Sequence, residues 1–186
     1  MGFFDFLKSK KTDPLRDHSI RIFKLSTEAG DATRKFMADS GETLSTEKWF
    51  AVVTEFQNLY LLITDRVVFG RIPDPKRSQV MNELCEISID TSIGVICDGW
   101  GYERIKKIQA ETMANYGKAR ADYGVCKSVV PEKGQSPAGT MLWEFAKTAT
   151  GLVGHEMDIV YITFFMRIVD FKGLNAVAFA EAAQAQ

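Results

Sequence analysis

Histidine and cysteine are scarce in this chain, and proline is thin: 2 His, 3 Cys and 5 Pro in 186 residues. Neither His18 nor His155 sits in a Glu-x-x-His unit, so a ferritin-like di-iron pair of helices lacks its usual ligands, and no His-Glu-x-x-His zinc helix is present. Cys85, Cys97 and Cys126 are odd in number and form no Cys-x-x-Cys pair, which predicts free thiols of a reducing, cytoplasmic compartment rather than a disulfide framework. A phosphate-binding Gly-x-x-x-x-Gly-Lys loop and an Asp-x-Asp-x-Asp-Gly calcium loop are also missing. Charge of one sign is lacking as well: 23 basic against 24 acidic residues leave a net charge of -1, without the basic footprint that nucleic-acid binding requires. No apolar run is clean enough to span a bilayer, because the richest, 152–171, carries His155, Glu156, Asp158, Arg167 and Asp170. Residues 1–11 place their apolar cluster before their lysines, the reverse of a secretory signal, and Phe6 stands where a myristoylation signal carries Ser or Thr.

What is present is core material. A hydrophobic content of 46%, with 13 Phe and 3 Trp, predicts one domain over 1–186, with 1–12 a flexible or docking segment and 180–186 a fraying tail. Asp13-Pro14, Asp74-Pro75 and Ser136-Pro137 each set an oxygen acceptor before a proline suited to a first helical turn, and each is predicted to open a helix. From Pro14 the apolar spacing runs to Gly30, with a second short segment from Asp31 to Met37. Ser45 caps the clearest helix, whose stripe of Trp49, Val52, Val53, Phe56, Leu59, Tyr60 and Ile63 closes at Gly70. The β-branched stretch 87–97 reads as irregular or extended, and 100–127 as an amphipathic surface helix. A helix from Ser136 bends near Gly151 and Gly154 and resumes as a heavily apolar one to Phe171. The expected fold is all-α, a single-domain bundle of about six or seven helices with 46–69 and 152–171 at its centre. Helices this apolar need cover on every side, which points to a homodimer.

Candidate chemistry is sparse, and no catalytic set is assigned. Gly134-Gln135-Ser136 lacks the strand and second glycine of a nucleophile elbow, and Gly99-Trp100-Gly101 lacks the third glycine of a dinucleotide loop. Tyr102, Tyr116 and Tyr123 share a helix face whose expected role is to bury rings and wet hydroxyls. Glu156, Thr163, Arg167 and Asp170, at intervals of seven, four and three, share one stripe of an otherwise apolar helix, and Asp65 or Arg66 is expected to pair with Arg167 or Asp170 in a structural network. A carboxylate metal site would draw on Glu55, Asp65, Glu156 and Asp158. A ligand pocket would use Tyr161, Phe164 and Phe165 as walls and Arg167 as a polar anchor. No cofactor is predicted. The leading expectation is a non-enzymatic module for self-association or protein interaction, followed by a helical binder of an apolar or anionic amphipathic ligand and then by a carboxylate-metal enzyme. Phe3, Phe4, Phe6 and Leu7, followed by lysines, are the candidate for contact with a membrane surface.

Overall fold

The computed structural model describes residues 13–185. All regular structure among them is helical: α1 (Pro14–Asp39), α2 (Thr46–Val68), α3 (Lys76–Ile96), α4 (Tyr102–Gly124), α5 (Met141–Val153), α6 (Ile159–Ile168), and the short α7 (Phe171–Leu174) and α8 (Ala176–Gln184). The all-α expectation holds. The expectations for residues 1–12, including contact with a membrane surface through Phe3, Phe4, Phe6 and Leu7, fall on residues outside those described. No described helix is long and apolar enough to cross a membrane.

Helix α2 is the axis. Its first turn is fixed by Ser45, whose hydroxyl accepts from the Lys48 N–H at 3.2 Å, and 14 of its 23 residues are buried. Such a helix needs neighbours all round, and α1, α3, α4, α5 and α8 supply them within the one chain. Phe56 is fully buried and meets Phe145 of α5 edge-on at 4.7 Å between centroids, with Phe165 of α6 behind. Burying a ring of this size is worth about 1.5–3 kcal/mol.

Helix α1 opens as its residues predict, with the Asp13 carboxylate accepting from Leu15 N–H and Arg16 N–H. It does not stop at Gly30. A Cβ there would stand 2.5 Å from Val53 Cγ2 and 2.8 Å from the Trp49 indole nitrogen, so the glycine is a point of close helix approach, not a break. The β-branched stretch 87–97 is helical through Ile96, and its hydroxyls fit that state: Ser92 Oγ donates to Ser88 O, one turn back, and to Gln57 Oε1 of α2 at 2.8 Å. β-branched residues tolerate a helix when burial compensates, and Ile89, Thr91 and Ile93 are all buried.

A helix does open after Asp74-Pro75, α3 from Lys76, but without the expected side-chain cap, and the third predicted start lies elsewhere. Ser136 makes only a local turn to Ala138 N–H, and Thr140 caps α5 instead by accepting from Trp143 N–H. The break expected near Gly154 is present, but the helix that follows is shorter than 152–171. Gly154, at φ 96°, closes α5, Asp158 caps α6 through Val160 N–H at 2.8 Å, and the extended Val169 ends α6. Nor does the tail fray over its whole predicted length. The helix runs to Gln184 with Ala180 and Ala183 buried, because small side chains let α8 lie against α1 and α2.

Candidate functional site

Helix α4 contributes only Thr112, Ala119 and Tyr123 to the buried interior. Where this sparsely buried helix crosses the first half of α2 beside α5, it leaves a cleft of about 300 Å³. Phe50, Ala51, Thr54 and Glu55 line it from one face of α2, and residues spaced by three and four from Ile108 to Tyr123 line it from α4. Thr148 and Leu152 of α5 close the third side.

Glu55 and Tyr123, both buried, form the floor. The Tyr123 hydroxyl donates a hydrogen bond to Glu55 Oε1, and Thr148 lies within hydrogen-bonding reach of the same hydroxyl. Glu55 Oε2 receives only the Asn58 amide, at 3.5 Å. Loss of water dominates the Glu55 carboxyl and raises its pKa, while the bonds from Tyr123 and Asn58 pull it partly back. The Tyr123 phenol is pushed up by burial and by the neighbouring carboxyl, so it stays a donor. At the rim stand Glu111, Asp122 and Lys118, with the lysine bound to Asp122 at 2.7 Å.

A second cluster pins the turn between α5 and α6. Glu42, from the α1–α2 connection, accepts from the Tyr161 hydroxyl at 2.9 Å and bonds His155 Nε2 at 2.7 Å, and the two rings stack at 3.8 Å. These bonds, His155 first, lower the Glu42 pKa. Past this anchor Met157 adopts φ 60°, and Met157, Ile159 and Val160 are 65%, 61% and 60% exposed.

The predicted sites meet this structure unevenly. Asp65 is clamped by Arg77 through two bonds of 2.8 and 2.9 Å. Arg66 donates to the carbonyls of Gly124 and Cys126, and Asp170 caps α7 through Gly173 N–H. Exposed Arg167 pairs with neither Asp65 nor Asp170, so the expected network does not form. Glu156 and Asp170 lie outside α6, which dissolves the four-residue stripe. The four proposed metal ligands are also dispersed: Asp65 lies ten residues beyond Glu55, about 15 Å along α2, and Asp158 is spent as a cap. Among the described residues no group of three His, Cys, Asp or Glu side chains is placed to hold a metal ion. Of the predicted ligand pocket, Arg167 and Phe164 share a shallow groove with Phe36, whose ring stacks on Phe164 at 4.1 Å. Phe165 points instead into the core, and the Tyr161 hydroxyl is held by Glu42.

Sequence reasoning singled out Glu55 and Tyr123 separately and missed the pair. The available signal was a carboxylate inside an apolar helical stripe, which demands a partner. All three cysteines are buried and unpaired. Burial raises each thiol, Cys85 to about 12. No protein-family profile, curated protein or solved structure matches the chain.

Proposed function

We propose that this protein binds a small molecule in the cleft between α2, α4 and α5, with Glu55 and Tyr123 as the polar floor and no reaction assigned. The observation that supports the reading is the buried carboxyl–phenol pair at the base of a cavity with mixed walls, apolar at Phe50, Ile108 and Leu152 and polar at Thr54, Thr112, Asn115 and Thr148. A carboxyl with a raised pKa facing a cleft is a common mark of a functional site, and the cavity stands at the lower end of ligand-pocket sizes. A fragment screen followed by backbone amide NMR shifts tests it. Hits should cluster on Ala51, Thr54, Thr112 and Thr148 and vanish in Ala51→Trp, which fills the cavity. Hits that map elsewhere, or survive the filled cavity, sink the reading.

A second reading, self-association as a dimer, is favoured by one separate feature. Met157, Ile159 and Val160 form an exposed apolar ridge beside the Phe36–Phe164 groove, a surface of the kind that marks interaction sites. Sedimentation should then show a dimer that Val160→Glu dissociates, whereas a monomer at every concentration would remove this reading.

A further inference from the structure

The cleft's own charges narrow what it accepts. Its floor is a carboxyl group, its rim carries the carboxylates of Glu111 and Asp122, and among the described residues the one basic member of its lining, Lys118, is already engaged by Asp122. Lys107 approaches Glu111 only at 3.8 Å, and both side chains are largely in solvent. An anion entering this space would meet three carboxyl groups around a single committed ammonium. A wholly apolar ligand would seal Glu55 Oε2 away from water with no partner better than Asn58 at 3.5 Å.

We infer that the cleft takes a small organic cation, a protonated amine on a short apolar body, with the Glu55 carboxylate as its buried counter-ion. The inference rests on the ligand-binding reading above and specifies its ligand class. An ammonium at the floor would donate to Oε2, which has acceptor capacity to spare, while Tyr123 keeps Oε1. The apolar body would lie against Phe50, Ile108 and Leu152. Burial alone disfavours an ionised Glu55, and an adjacent positive charge reverses that preference.

Three probes with the same phenyl body separate charge from shape: benzylammonium, benzyl alcohol and benzoate, each titrated into the full chain near neutral pH and followed by amide shifts. Benzylammonium should bind at least about ten-fold more tightly than benzyl alcohol, the scale of one charge-assisted contact, and benzoate should leave the cleft amides unmoved. Glu55→Gln, checked for native shift dispersion, should reduce the preference to under about two-fold, while Tyr123→Phe, which spares the carboxyl, should retain it. Benzyl alcohol binding in the cleft as tightly as the ammonium overturns the cation assignment and leaves the ligand-binding reading standing. Preference for benzoate, or a charge preference that survives Glu55→Gln, also overturns it. No response to any probe rejects the inference, and the broader reading falls with it only if the fragment screen is empty too.

Discussion

Helix α2 presents polar side chains to two very different neighbourhoods. Towards α1 and α3 they are packed out of sight: Thr64 meets His18 Nε2 at 3.0 Å, Gln57 takes the Ser92 hydroxyl, and Gly30 brings α1 against Trp49 and Val53. Towards α4 the same helix shows Glu55 to a cleft, because α4 buries so few of its residues. Close packing on the first side turns polar groups into structural fasteners. A gap of a few ångströms on the second leaves a comparable group chemically available.

The largest effect that sharpens this contrast comes from His18, buried against the ring of Phe179 and with its pKa lowered by burial to about 3. A base held neutral in the fold but free to protonate when unfolded contributes stability that is complete above its ordinary 6.5 and is lost as pH falls towards 3. Unfolding free energies from urea titrations between these limits should fall with a slope approaching about 1.4 kcal/mol per pH unit from this residue, and His18→Gln should remove that part of the slope. An unchanged slope would mean that the α1 side is not sealed.

A matched pair of enlargements comes next. Gly30→Val should cost about 1–3 kcal/mol by overpacking, while Ala51→Val at the cleft should stay within about 0.5 kcal/mol. Equal costs in thermal unfolding would erase the distinction between the two sides. Smaller still is Glu55→Gln. A carboxyl whose pKa is raised in the fold stabilises fully below its ordinary 4.5 and loses that contribution as pH climbs through the folded value. The variant should therefore gain on the wild type with rising pH. A difference that does not grow with pH would show Glu55 to be better solvated than its burial indicates. Smallest is Ser88→Ala, where the buried hydroxyl has no hydrogen-bond partner. Its removal should leave stability unchanged or slightly raised, by less than about 0.5 kcal/mol in calorimetry, and a clear loss would give Ser88 a role in fastening α3.

Periodicity and caps made much of the helical order legible. Ser45 and Asp13 act as read, and the stripe from Trp49 to Ile63 is buried as a core helix should be. Misreadings cluster where one residue has two uses. Gly30 can end a helix or admit a neighbour, and only the position of Trp49 decides. The isoleucines of 87–97 favour strands until burial outweighs propensity. Glu55 and Tyr123 are 68 residues apart and meet only through the register of α2 against α4, which no local pattern encodes. The apolar setting of Arg167 suggests a buried polar anchor, yet the early end of α6 separates it from Asp170.

The buried thiols carry a practical consequence. Alkylation requires both access and a thiolate, and burial denies Cys85, Cys97 and Cys126 the first while suppressing the second. Each can therefore be labelled only when its surroundings come apart, so pulse alkylation read by mass spectrometry becomes a clock of local opening. Cys85 reports the middle of α3, Cys97 its C-terminal end, and Cys126 the chain just after α4. Faster labelling at Cys126 than at Cys85 would show that the polypeptide around the cleft breathes independently of the packed interior.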